Sequence, residues 1–177
     1  DAYGGDLVKR TRFAADIIKA IRQRVGPDFV IIHRFSQWKQ QDYGAKLAHS
    51  PDELAAFLQP LVDAGADIFH CSTRRFWEPE FQGSDLNLAG WSKKLTGKPT
   101  ITVGSVGLKG GDFIQSYMGE SAEVGDLSEL EARLADHEFD LVAVGRALIT
   151  DPEWPAKVRD KRFAELAPFS PKAMATL

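Results

Sequence analysis

The chain has 177 residues, 44% of them hydrophobic and 27% charged, enough for one sizeable apolar core in a single globular domain spanning 1–177. Its 22 lysines and arginines are interspersed among 25 aspartates and glutamates, a net charge of -3, which excludes the clustered basic face that nucleic-acid binding by counterion release requires. A lone cysteine, Cys71, excludes an internal disulfide or a four-thiolate metal site and fits reducing, cytoplasmic surroundings, and no apolar run is long enough to cross a bilayer.

The first residues, Asp1-Ala2-Tyr3-Gly4-Gly5-Asp6, read as a turn with neither a methionine nor a leader pattern, as in a piece of something longer. From Leu7 to Val25 the positions Leu7, Phe13, Ala14, Ile17, Ile18 and Ile21 follow helical spacing, and Gly26-Pro27 ends that helix. Phe29-Val30-Ile31-Ile32 reads as a short buried strand. A second helix starts behind Ser50, with Pro51 at its first position and Glu53 at the capping-box position, and runs to about Ala64, with Gly65 as C-cap. Strands follow at Asp67–Cys71, Thr100–Val103 and Asp140–Val144, the last behind a helix from Leu127 to His137. The connection from Ser72 to Gly97 carries Phe76, Trp77, Phe81 and Trp91, too much apolar surface for a plain linker.

Strands that are apolar throughout and separated by helices predict an α/β fold with a parallel sheet. The unit recurs about four times, whereas a closed (β/α)8 TIM barrel needs eight, so the expectation is half a barrel.

The residues with chemical promise stand at strand ends. Gly104-Ser105 and Gly145-Arg146 follow the last two strands, where (β/α)8 barrels commonly hold a phosphate: glycine lets backbone N–H groups approach, and arginine offers a planar charged fork. The competing reading is two chain turns, with Arg146 paired to an acidic neighbour. Cys71, at the end of a buried strand, reads as inert packing. His49, His70 and His137 lack metal-ligand spacing, His49 and His137 look solvent-facing, and no metal is expected.

The turn Asp1-Ala2-Tyr3-Gly4-Gly5, followed by Arg10 and Arg12-Phe13, and the strand ends Arg34-Phe35-Ser36, Gly104-Ser105 and Gly145-Arg146 in that order, resemble the old yellow enzyme family of NADH:flavin oxidoreductases. Asp6 and Lys9 depart from its usual serine and asparagine, as surface or capping changes. The resemblance implies that this is the part of the barrel holding strands five to eight. It implies FMN as cofactor, with Gly104, Ser105, Gly145 and Arg146 around its phosphate and NADH or NADPH as reductant. Arg34 matches the family arginine facing the flavin ring, where a fixed positive charge tunes flavin reduction. His33, next to it, points the other way and packs.

The segment after the sixth family strand places Arg75, Phe76 and Trp77 either as the wall of a substrate pocket or as packing of a long loop; Phe35, Gln37 and Trp38 share that ambiguity. The implied reaction is reduction of an activated C=C bond in an α,β-unsaturated carbonyl compound. The family's carbonyl-binding pair and its proton donor precede the Asp-x-Tyr-Gly-Gly turn, so they are expected outside this sequence, and Tyr3 is not that donor. A half-barrel exposes strand edges and an open core face, so association with the other half or with itself is expected. The alternatives are a non-redox phosphate-binding barrel enzyme, for which no strand end offers a catalytic lysine or carboxylate, and a non-catalytic half.

Overall fold

Asp6 opens the first helix, α1 (Leu7–Val25), by accepting a hydrogen bond from the Lys9 N–H at 2.9 Å, so the departure from serine preserves the cap. The computed structural model describes residues 2–176; Asp1, the first residue of the turn motif, lies outside them. Strand β1 is Ile32–Ser36, three residues later than apolarity alone suggested. The reason is Arg22, whose guanidinium donates to the carbonyls of Gly26, Pro27, Phe29 and Gly65 and pairs with Asp67. That clamp holds 26–29 as a turn and leaves Phe29 and Val30 exposed, so pairing begins only at Ile32↔Ile68.

Helix α2 (Pro51–Asp63) starts as its caps require: Ser50 Oγ accepts from the Glu53 N–H and Glu53 reaches back to the His49 N–H. Its C-cap is Ala64, with Gly65 one residue beyond at φ 105°. Strand β2 (Ile68–Ser72) leads into α3 (Leu88–Thr96), which accounts for the apolar surface of the long connection. Asn87 caps α3, and its side-chain amide also donates to Phe76 O and Thr102 Oγ1, tying the connection to the next strand.

Strand β3 (Thr100–Val103) falls where expected. Between it and α5 (Ser128–Ala135) lies an unforeseen excursion: strand β4 (Leu108–Lys109), the short helix α4 (Phe113–Tyr117) and strand β5 (Glu123–Val124), with β4 and β5 paired antiparallel. Strand β6 (Leu141–Val142), α6 (Arg146–Thr150) and α7 (Trp154–Arg159) complete the regular elements used below.

The main sheet is parallel in the order β1-β2-β3-β6. Its two faces differ. Phe35, Phe69, Cys71, Thr100 and Thr102 point into a core closed by Leu54, Phe57, Leu58, Leu61 and Leu88 of α2 and α3. His33 points to the same side, stacked on Phe35 and edge-on to Phe69, and burial lowers its imidazole pKa. On the other face Ile32 and Leu141 are each 50% exposed although they lie in strands, and α1 leaves Phe13, Ile17, Ile21 and Val25 uncovered along one side.

Candidate functional site

All four strands of the parallel sheet deliver their following loops to the same edge, which is where ligands sit in α/β folds. A cleft of about 340 Å³ opens there, lined by Arg34, Gly104, Ser105, Gly145 and Arg146 together with Arg74. The fold thus brings the five residues singled out around a cofactor into one cavity, from β1, β3 and β6.

Arg146, at the start of α6, is half-buried, yet no carboxylate among the described residues forms an ion pair with it. Its Nη1 donates to Gly111 O and Ser116 Oγ, its Nη2 donates to Ser105 Oγ at 3.2 Å, and the guanidinium lies 5.6 Å from the centre of the Phe169 ring. Burial pulls its pKa down, opposed by the charge of Asp112. A half-buried cation bonded only to neutral acceptors is costly unless an anion completes it. The acidic-partner reading of Arg146 does not hold; the nearby Asp112 is paired instead with Arg74 at 2.6 Å.

The two strand-end glycines differ in what they accommodate. A Cβ on Gly104 (φ 145°) would sit 2.7–2.9 Å from Thr73 Oγ1, Thr73 O and the Arg74 carbonyl carbon, so the loop after β2 already fills that space. A Cβ on Gly145 would meet nothing within 4 Å, so glycine there keeps cleft volume open. Ser105, held at φ 49°, donates its hydroxyl proton to Arg74 O at 3.1 Å while accepting from Arg146. Its side chain therefore orients Arg146 and has no proton left for a ligand.

Arg34 is exposed at the open face of β1, with one 3.3 Å contact to Ser72 Oγ. Its register partner His70 has its imidazole pKa lowered, first by burial and then by the charge of Arg34. Cys71 is wholly buried, and burial pushes its thiol up to about 12, in keeping with packing.

Arg75, Phe76 and Trp77 are not brought to this cleft. They line a separate cavity of about 250 Å³ with Lys109, Asp126 and Glu129; Arg75 is paired to Glu78, and the Phe76 ring is buried against Trp77. Of Phe35, Gln37 and Trp38, only Trp38 lines the main cleft: Phe35 is core, and Gln37 is buried in bonds to Ala48 and Glu80.

Sequence reasoning missed Arg74, Tyr43 and Phe113, which also line the cleft. The Arg74 guanidinium stacks 3.8 Å above the Tyr43 ring while pairing with Asp112. Burial by itself would raise the Asp112 carboxyl, but hydrogen bonds from the Gln115 N–H and from Arg74 outweigh it and hold the pKa below the usual range. The adjacent arginines 74 and 75 carried no signal for which one faces the cleft. Among the described residues no group of three histidine, cysteine or carboxylate side chains is placed to hold a metal ion, and no helix is long and apolar enough to cross a membrane.

Residues 1–165 match the family model described as NADH:flavin oxidoreductase / NADH oxidase. The chain belongs to this family. Among its relatives is an NADH oxidase of Thermoanaerobacter brockii, 32% identical over 174 residues that cover 94% of this chain and 23% of that protein. A bilirubin reductase of Clostridium symbiosum is 28% identical, over 91% of this chain and 41% of its own length. The solved old yellow enzyme homologue from Zymomonas mobilis superposes with a TM-score of 0.64 at 17% identity, over 95% of this chain and 41% of that one, a likeness of fold. The chain thus spans less than half the length of these relatives. An FMN phosphate fits the cleft on physical grounds: it would supply the anion that the half-buried Arg146 lacks and occupy the space Gly145 leaves open.

Proposed function

We propose that β1, β2, β3 and β6 are strands five to eight of an FMN-dependent (β/α)8 barrel, in a protein that uses NADH or NADPH to reduce activated C=C bonds of α,β-unsaturated carbonyl compounds. Family membership supports the flavin chemistry. The observation that carries the site is Arg146, a half-buried guanidinium whose partners among the described residues are all neutral, in a cleft that also holds Arg34.

FMN, when bound, relays hydride from the nicotinamide to the substrate. This chain's residues have two tasks in that scheme. Arg146, oriented by Ser105, binds the phosphate, with Gly145 leaving it room. Arg34, on the open face of β1, holds a fixed positive charge toward the flavin ring that favours its reduction. Arg75, close to the surface, remains the candidate in its segment for contact with a polar substrate group, with Phe76 and Trp77 as the apolar floor of that second cavity.

The uncovered sheet face and the Phe13, Ile17, Ile21 and Val25 stripe support association with the complementary half-barrel or with a second copy. A monomer by sedimentation at micromolar concentration, unchanged by the complementary half, would remove that part of the reading.

The cofactor reading is tested by titrating the chain with FMN and riboflavin. Wild type binds FMN the more tightly, and Arg146→Ala weakens FMN by about a hundredfold while barely changing riboflavin, as expected when one partner of a desolvated charge pair is truncated. Equal affinities for the two flavins in wild type would defeat it.

A further inference from the structure

The excursion from Leu108 to Val124 does more than connect two elements. Both Nη1 protons of Arg146 are taken by it, one by the Gly111 carbonyl and one by the Ser116 hydroxyl. Nη2 gives one proton to Ser105, so the Nε proton and one Nη2 proton have no acceptor among the described residues and are left for a ligand. Ser116 is 1% exposed, and a buried hydroxyl there has no solvent role.

The segment is itself restrained at four places, two of them contacts to the rest of the chain and two within the segment. Asp112 is bound to Arg74, which lines the cleft, and Leu108 and Lys109 pair with Val124 and Glu123. Ala122 exchanges backbone hydrogen bonds of 3.0 and 2.8 Å with Phe169, the fully buried residue whose ring faces the Arg146 guanidinium. Gly111, at φ 43°, lies so close to the Ser121 carbonyl that a Cβ would come within 2.9 Å of it. Each anchor restricts where the Gly111 carbonyl and Ser116 hydroxyl can stand.

We infer that this excursion is a positioning element for anion selectivity: Ser116 and the Gly111 carbonyl lock the Arg146 guanidinium so that its two remaining donors face the cleft, favouring a phosphate monoester over the same ligand without the phosphate. The inference rests on the FMN reading above. Ser116 is a positioning residue, acting only through Arg146, and Asp112 acts one step further out.

The test is the ratio of FMN to riboflavin affinity in the full chain, measured by flavin fluorescence quenching. Ser116→Ala should weaken FMN by about tenfold, the scale of a lost hydrogen bond to a charged group, and leave riboflavin unchanged. Asp112→Asn, which frees the Arg74 anchor but keeps an oxygen for the helix cap, should lower the ratio by about threefold. In an Arg146→Lys background, Ser116→Ala should change the ratio by less than about twofold, because the coupling runs through the guanidinium. An undiminished ratio in Ser116→Ala, an equal loss for both flavins, or a full tenfold loss in the lysine background would overturn the inference while leaving the FMN reading in place. A wild-type ratio of one would remove the FMN reading and this inference with it.

Discussion

Gly104 and Gly145 occupy equivalent places at the ends of neighbouring strands, yet their surroundings are opposite. Gly104 is glycine because protein already stands where its side chain would go: the Thr73–Arg74 backbone crosses over it, and the Phe76 N–H donates to its carbonyl at 3.1 Å. Gly145 is glycine beside open space, under an arginine with donors to spare. The difference teaches that a glycine at a barrel strand end marks a close approach without saying of what. One approach here is the chain's own, and the other is left open, the space our proposed function gives to a ligand.

The comparison is broken most forcefully at the packed glycine. Gly104→Ala should destabilise the chain by about 3 kcal/mol, the scale of an overpacked site combined with a left-handed backbone, read as a drop in the urea midpoint. Gly145→Leu tests the other side: the unfolding free energy from urea titration should stay within about 1 kcal/mol of wild type while FMN binding disappears, because the side chain enters the cleft instead of the core. If Gly104→Ala were neutral and Gly145→Leu unfolded the chain, the assignment of the two would be reversed.

The smallest expected effect concerns the other end of the cleft. Arg34, unlike Arg146, is loosely held, so Arg34→Ala should leave stability at neutral pH nearly unchanged. It should, however, raise the pKa of His70, because one of the two causes lowering it is the charge of Arg34. The sign follows for stability: an imidazole whose folded pKa lies below its unfolded value of about 6.5 contributes stability above that pH that is lost as pH falls through the folded pKa. Arg34→Ala should therefore shrink the acid-side loss. NMR titration of the His70 ring reads the shift directly, and an unmoved His70 would mean that the Arg34 charge does not reach its register partner on the same face of the sheet.

Helices were legible wherever caps and spacing agreed, as at Asp6 with Leu7–Val25 and at Ser50-Pro51 with α2, because those signals are local and chemically specific. The first strand was misplaced because hydrophobicity alone does not locate a strand: Phe29 and Val30 are apolar, but the Arg22–Asp67 clamp holds their neighbourhood in a turn. Helix α3 had its own markers, Asn87 and Gly97, lost inside a connection judged by its aromatics. The excursion from Leu108 to Val124 was invisible because its strands have two residues each and are stabilised by distant partners such as Phe169.

By itself the sequence determined the α/β class, the family, and five residues that the fold gathers in one cleft, since those follow from apolar patterning, glycine and arginine at strand ends, and motif order. Tertiary structure alone decided that Arg146 has no acidic partner among the described residues, that the Ser105 hydroxyl is spent on a backbone carbonyl, that Phe76 is buried away from the cleft, and that Arg74 reaches across to Asp112. Donor counts, burial and the direction of a missing Cβ depend on groups brought together from 30 or more positions apart, as Arg74 and Ser105 are at a separation of 31, and spacing along the chain does not encode them.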